Sequence, residues 1–169
     1  TGADAIAGNA DDIVNNGTYY FRAKSVDYLG NVSAYSNVVS TTLDTILPDL
    51  SNLVVTNPRF SPNGDSIKDS SSFAFDWAEQ NPSAAEVNIY SGDPSTSSGL
   101  TKVKTLSQNL SGTSGSVSLN WNGLDNSNNL VQDGIYTAYV SVLDKAGNRR
   151  ELSPEILVVD NTALATAIF

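Results

Sequence analysis

Three oxygen-bearing side chains lie close together in the segment "NGDSIKD", residues 63 to 69. Asn63, Asp65 and Asp69 are of the types that hold Ca²⁺, which takes six to eight oxygen ligands in flexible geometry. The spacing matches an EF-hand loop only in part, because no Glu stands at the twelfth place and Ser66 replaces the usual Gly. The segment therefore predicts either a calcium site or an Asx-turn in which Asn63 and Asp65 accept backbone N–H groups.

The other polar clusters favour ordinary turns over chemistry. "DNSNN", residues 125 to 129, could add oxygen ligands but is typical of a plain loop. The chain has no His and no Cys, which excludes a His base, a Cys nucleophile and metal sites built from either residue. Carboxylate pairs such as Asp11 with Asp12, or Asp133 with Asp144, occur in any acidic chain, and no pattern marks the cleft of a glycosidase. We expect no catalytic residue and no enzymatic activity.

The aromatic residues raise the question of glycan binding. Trp121 alternates with Val117 and Leu119, so we expect its side chain in the core. Trp77 ends a predicted strand beside a Glu, and with Tyr90 it could form a sugar-stacking face. We expect Trp77 to be partly exposed.

Charge and hydropathy exclude two classes of partner. The net charge of −9 with a pI of about 4.2 argues against nucleic acid, whose phosphates require clustered Lys and Arg. No apolar run reaches the roughly 18 residues of a membrane span, so we expect no membrane insertion. Acidity favours solubility and cation binding.

One segment of the chain occurs twice. "GTYYFRAKSVDYLGN", residues 17 to 31, returns as "GIYTAYVSVLDKAGN", residues 134 to 148, at a constant offset of 117, since 134 − 17 = 117 and 148 − 31 = 117. Each copy alternates apolar and polar residues up to an Asp, as a half-buried strand does. The Asp can accept a turn N–H and the Gly three residues later can supply a positive φ. Each copy therefore predicts a hairpin, with Tyr19 and Tyr136 as inward-facing residues.

The remaining sequence predicts further short strands and no long helix. Turn residues separate the apolar segments at intervals near the roughly 8–12 residues of a sandwich. We predict an all-β fold with strands over residues 52–60, 71–78, 85–92, 102–108 and 116–123 and from Ile135 and Leu152.

These elements suggest a chain of domains. Residues 51–160 suffice for one complete β-sandwich, whereas residues 1–43 supply too few strands for a two-sheet core. We predict an incomplete C-terminal part of a domain over 1–43, a linker over 44–50, and a linker or first strand of a following domain over 161–169.

Two stretches resemble known families. "NNGTYYFRAKSVDYLGNVSAYSNVVSTT", residues 15 to 42, resembles the end of a bacterial fibronectin type III domain. "FSPNGDSIKD", "WNGLDNSNNLVQDGIY" and "LDKAGN" together resemble the immunoglobulin-like domain of the flagellar hook-capping family. The sequence departs from that pattern at Ser66 and Asn128, where Gly is usual, and at Asn122, where Asp is usual. Asn tolerates the left-handed conformation, so the turn at Asn128 stays plausible.

The resemblance implies a tandem array of immunoglobulin-like and fibronectin type III-like β-sandwiches in a large secreted or cell-surface bacterial protein. Such modules serve mostly as structural spacers, whose partners are the adjacent domains of the same polypeptide. Two alternatives stay open. One is a binding or assembly module for a glycan, a peptide or a neighbouring subunit, with the uncharged segment "SVSLN" at Ser116 as an edge for strand addition. The other is an accessory domain of a secreted cell-envelope protease.

Overall fold

The computed structural model describes residues 15–96 and 99–162, and these contain strands, turns and loops with no helix. They fall into two compact units that divide between Ile46 and Leu47. The all-β prediction is confirmed for the described residues.

Within residues 15–46, unit 1 contains one antiparallel pair of strands. β1 (Gly17–Phe21) pairs with β2 (Val39–Leu43), so that Gly17 lies opposite Leu43 and Phe21 opposite Val39. The hairpin predicted from the first repeat copy is therefore present.

The described part of unit 2, residues 47–96 and 99–162, forms two sheets. The three-stranded sheet has the order β3 (Asp49–Thr56), β5 (Ser71–Ala78), β8 (Ser114–Trp121). The other has the order β4 (Arg59–Phe60), β11 (Glu155–Val159), β9 (Gly134–Asp144), β6 (Pro82–Ser91), β7 (Thr101–Asn109), and β10 (Arg149–Glu151) also pairs with β9. β4 and β11 are parallel, whereas the other pairs are antiparallel.

One hydrophobic core joins the two sheets. Alternate residues of β5 and β8 point into it, which gives these two strands their alternating burial patterns. The buried core comprises residues of both sheets: Phe73, Phe75, Trp77, Val117, Leu119 and Trp121 from one, and Val87, Ile89, Tyr136, Val140, Val142 and Leu157 from the other. This arrangement is consistent with the predicted β-sandwich.

Besides shifts of one to three residues at strand ends, three features differ from the sequence prediction. The strand predicted over 52–60 is two strands in different sheets, because Asn57 has a φ of 53° and is followed by Pro58. The last strand is interrupted at Pro154, between β10 and β11. β3 begins at Asp49 and Leu50 is buried, so part of the predicted linker 44–50 belongs to unit 2.

Candidate functional site

The predicted calcium loop is held together by its own N–H groups. The Asp69 carboxylate accepts hydrogen bonds from the backbone of Gly64 at 2.9 Å and of Ser66 at 2.7 Å. Asp65 accepts from Ile67 N at 2.8 Å and, more weakly, from Asn63 Nδ2 at 3.2 Å. Each carboxylate oxygen of these two aspartates thus already accepts an N–H.

The Asx-turn alternative is confirmed. Asn63 Oδ1 accepts the N–H of Asp65 at 3.0 Å, and Asp65 repeats the arrangement with Ile67 two residues on. The loop also has positive φ at alternate positions: Gly64 at 83°, Ser66 at 68° and Lys68 at 54°. The N–H groups of Gly64 and Ser66 both point at the carboxylate of Asp69, so the anion that this backbone encloses is a side chain of the loop itself. Asn63, Asp65 and Asp69 do lie together, and calcium binding there stays a prediction.

The hollow beside this loop has charges of both signs. Its volume is about 440 Å³, and it opens widely to solvent. Arg59 and Lys68 line it together with Asp65 and Asp160. Such a balance selects neither an anion nor a cation.

Three motifs of unit 2 meet in one aromatic cluster. Trp121, of the "WNG" motif, packs edge-on against Phe60 at 5.3 Å and against Tyr136 at 5.2 Å between ring centroids. Phe60 begins the "FSPNGD" motif and Tyr136 closes the "DGIY" motif. Trp121 is fully buried, as predicted, and its Nε1–H donates to Leu124 O at 2.9 Å. The cluster links strands of both sheets.

Gly123, two residues after Trp121, lies close against the neighbouring loop at Pro62. Gly123 has a φ of 74°, and a Cβ placed on it would come within 2.5 Å of Pro62 Cγ. Only a residue without a side chain allows this approach. The "WNG" motif and the "FSPNGD" motif are therefore matched parts of one packing arrangement.

Both repeat copies contain the same tyrosine contact. The Tyr136 hydroxyl donates to Gln132 O at 2.6 Å, and the Tyr19 hydroxyl donates to Asn15 O, four residues upstream in each case. Such a contact ties the start of a strand to the corner before it. Tyr136 is inward-facing, as predicted, and Tyr19 is half-buried.

The turn that begins at the Asp of each repeat copy, which we call the Asp-turn, occurs a third time. Asp27 and Asp144 each accept the backbone and side-chain N–H groups of the Asn four residues later, Asn31 and Asn148. Asp125 makes the same backbone contact with Asn129 at 2.9 Å, inside the segment that the sequence presented as a plain loop. Asn128 supplies the positive φ, 63°, that Gly supplies in the other two turns. The signal that sequence reasoning missed was Asp and Asn four residues apart with Asn128 between them.

A further contact of the repeat lies where the chain leaves each last strand. Asn16 Oδ1 accepts the N–H of Thr45 at 3.2 Å and its hydroxyl at 2.9 Å. Asp133 accepts the N–H of Asn161 at 2.8 Å and the Thr162 hydroxyl at 2.5 Å. The two side-chain pairs, Asn16 with Thr45 and Asp133 with Thr162, keep the offset of 117, since 133 − 16 = 117 and 162 − 45 = 117. We call these two sets of bonds the exit contacts.

Hydrogen bonding lowers the pKa of several carboxyl groups. The Thr162 hydroxyl, followed by the Asn161 N–H, lowers the pKa of Asp133. The pKa of Asp27 is lowered by the Asn31 side chain and backbone, and that of Asp125 by the Asn129 backbone. Burial, aided by the nearby Asp133 charge, raises the pKa of Tyr136. These groups maintain turns and exits, which are structural tasks.

The predicted Trp77–Tyr90 glycan face is wrong. Trp77 is only 5 % exposed and belongs to the core, because it lies on the inner side of β5 with Phe73 and Phe75. Tyr90 instead packs edge-on against Tyr139, at 5.6 Å between ring centroids.

The sequence matches no protein-family model, and no curated protein is similar to it at a significant level. Among the residues that the structure describes, no helix is long and apolar enough to cross a membrane.

Proposed function

We propose that the chain is a non-catalytic structural spacer in a large secreted or cell-surface bacterial protein. In this proposal, unit 1 is the final hairpin of a fibronectin type III-like sandwich, and unit 2 is an immunoglobulin-like sandwich in the same tandem array. The observation that carries it is the repeated exit contact, in which each unit binds the chain segment that leaves its last strand.

Strand order supports the fold assignment. With β3, β5 and β8 as strands A, B and E, and with β6, β9 and β11 as C, F and G, the sheets correspond to ABE and CFG of an immunoglobulin-like sandwich. The tyrosine contact at the start of β9 corresponds to the tyrosine corner of strand F. The same contact at Tyr19 supports a related fold for unit 1.

The motif residues support a structural role. The side chains of the repeat and of the "FSPNGD" and "WNG" motifs are used for packing, turn closure and exit contacts. Asn63, Asp65 and Asp69 are engaged with N–H groups of their own loop. A spacer needs such residues, because it must keep its shape and fix the direction of the departing chain.

The exposed apolar residues of unit 1 fit the same account. Phe21 is 54 % exposed and Val39 is 64 % exposed, whereas Ala138, at the repeat position of Phe21, is fully buried. In unit 2 the sheet of β5 and β8 covers that position. We propose that strands of the same fibronectin-like sandwich cover the hairpin of unit 1.

Limited proteolysis tests the proposal. Ile46 and Leu47 follow the exit contact of unit 1 and are exposed, so they are substrates for a broad-specificity protease whenever this segment is free. We expect Asn16→Ala to accelerate cleavage there severalfold, whereas Asn37→Ala, at an exposed position of the same unit, leaves the rate unchanged. Equal rates in the wild type and Asn16→Ala would show that the exit contact does not hold the chain.

A further inference from the structure

The four strands that end the two sheets of unit 2 differ in how their open edges are protected, and a fifth edge strand, β10, is protected by having only three residues, all of them charged. The three-stranded sheet ends in β3 and β8, and the other sheet ends in β4 and β7. An open strand edge presents unpaired N–H and C=O groups, which are a template for another strand. Proteins protect such edges with bulges, charges, short strands or covering loops.

Three of these edges are protected. Asn126 of the third Asp-turn covers β7, since its N–H donates to Val103 O at 2.9 Å and its Oδ1 accepts Thr105 N at 3.1 Å. β3 is irregular between Ser51 and Val54, where Asn52 has a φ of 54°. β4 has two residues only.

β8 has none of these protections. It pairs with β5 over eight residues without a bulge and contains no Pro. Among residues 15–96 and 99–162, β5 is its only partner strand. No charged residue occurs between Lys104 and Asp125, although the chain as a whole has a net charge of −9.

The register fixes which backbone groups of β8 are open. Glu79 N donates to Thr113 O at 2.9 Å, one step beyond the pairing of Ala78 with Ser114. Because bonded and non-bonded pairs alternate in an antiparallel ladder, Gly115, Val117 and Leu119 also bond to β5. The N–H and C=O groups of Ser116, Ser118 and Asn120 therefore point away from β5.

We propose that β8 is a strand-addition edge and that its partner is β8 of a second copy of this chain. Two antiparallel copies related by a two-fold axis through Ser118 would place Ser116 opposite Asn120 and Val117 opposite Leu119. All the open groups are then paired, polar residues face polar ones, and apolar residues continue the core side.

The register favours a second copy over a foreign strand, because β8 read in the opposite direction places Ser opposite Asn and Val opposite Leu. The contact brings no charged side chains of β8 together, so the net charge of −9 on each copy acts only from outside the contact. A two-fold contact uses the same patch on both partners and closes at two chains, so it leaves no further β8 edge open. The result is a six-stranded sheet across two sandwiches.

Sedimentation over a wide concentration range tests this with three variants. Ser118→Pro removes an open N–H without removing a bond to β5, and Ser118→Lys sets two like charges opposite each other. The control is Ala74→Lys, which adds the same charge on β5 directly beside Ser118. Near-ultraviolet circular dichroism verifies the fold of each variant.

We expect the wild-type mass to rise from 17.8 kDa towards twice that value with concentration, and Ala74→Lys to do the same. Ser118→Pro loses one edge bond per chain and therefore two per dimer, so its dimer should be about 30-fold weaker, and like-charge repulsion should also weaken the Ser118→Lys dimer. Slower hydrogen exchange at Ser116, Ser118 and Asn120 should accompany the wild-type dimer. A monomer at every concentration, or a dimer as tight in the Ser118 variants as in the wild type, would overturn the proposal.

Discussion

The carboxylate of Asp133 accepts a hydrogen bond of 2.5 Å from the hydroxyl of Thr162, which lies just beyond the last strand of unit 2. The equivalent pair in unit 1, Asn16 with Thr45, is joined at 2.9 Å. Two different acceptor side chains thus perform one task, which is to hold the segment that leaves a hairpin. The shared task also means that an amide can replace the acid.

Variants of Asp133 should distinguish the contribution of its charge to stability from that of its hydrogen bonds. Because its pKa is lowered from the ordinary 3.8 in the folded chain, its contribution to stability is complete above about pH 3.8 and is lost as the pH falls through the folded value. Asp133→Asn should therefore match the wild type at neutral pH and lose less stability on acidification. Asp133→Ala should be less stable already at pH 7. Thermal melts between about pH 2 and 7 measure this, and an equal acid loss in the wild type and Asp133→Asn would contradict it.

The tyrosine contact should have a measurable stability. Tyr136→Phe keeps the ring against Trp121 and removes only the hydroxyl bond to Gln132, so we expect a loss of about 1 kcal/mol. Tyr139→Phe is the control on the same strand, because among the described residues its hydroxyl has no hydrogen-bond partner. Denaturant unfolding monitored by Trp fluorescence measures both. Equal losses in the two variants would show that the corner contact contributes nothing.

The contact between Gly123 and Pro62 should make position 123 intolerant of any side chain. Gly123→Ala adds a Cβ at 2.5 Å from Pro62 Cγ and also requires a left-handed residue, so we expect a loss of more than about 2 kcal/mol. Gly64→Ala has a similar φ with no atom within 4 Å of the added Cβ, so it should lose only about 1 kcal/mol. Chemical denaturation compares the two. A Gly123 variant as stable as the Gly64 variant would contradict the packing argument.

Calcium should not be needed to form the loop at residues 61–69. Since the oxygens of Asp65 and Asp69 already accept N–H groups, we expect the loop to be formed and the chain to be fully folded in chelator. A calcium site would add about 2.7 kcal/mol at a calcium concentration of 100 times its Kd. A calcium-dependent rise that Asp69→Asn abolishes would establish the site that the sequence suggests.

The sequence predicts the strands well because most of them bury one face. The strict alternation over Ser71–Ala78 is an example, and the predicted bounds of that strand agree with the structure. The break at Asn57 was missed although Asn57-Pro58 is a turn signal, because the strand was assigned from its apolar residues alone. Trp77 was misplaced although it alternates with Phe73 and Phe75, the same kind of pattern that placed Trp121 correctly.

The sequence predicts which residues form the loop site, but only partly what their side chains bind. Asn63, Asp65 and Asp69 were found from their spacing, yet spacing could not tell whether their oxygens face a cation or N–H groups. That depends on the left-handed backbone at Ser66 and Lys68, which neither residue type favours. The exit contacts were missed because they join residues 29 positions apart that share no periodic pattern.

Backbone ¹⁵N relaxation at Thr45 and Asn161 tests the central claim, that each unit holds the chain leaving it. We expect order parameters near 0.85 at both amides in the wild type, and values below about 0.6 at Thr45 in Asn16→Ala and at Asn161 in Asp133→Ala. The amides of Val140 and Val142 should remain rigid throughout. Low order at Thr45 and Asn161 in the wild type, or no change in either variant, would contradict the claim.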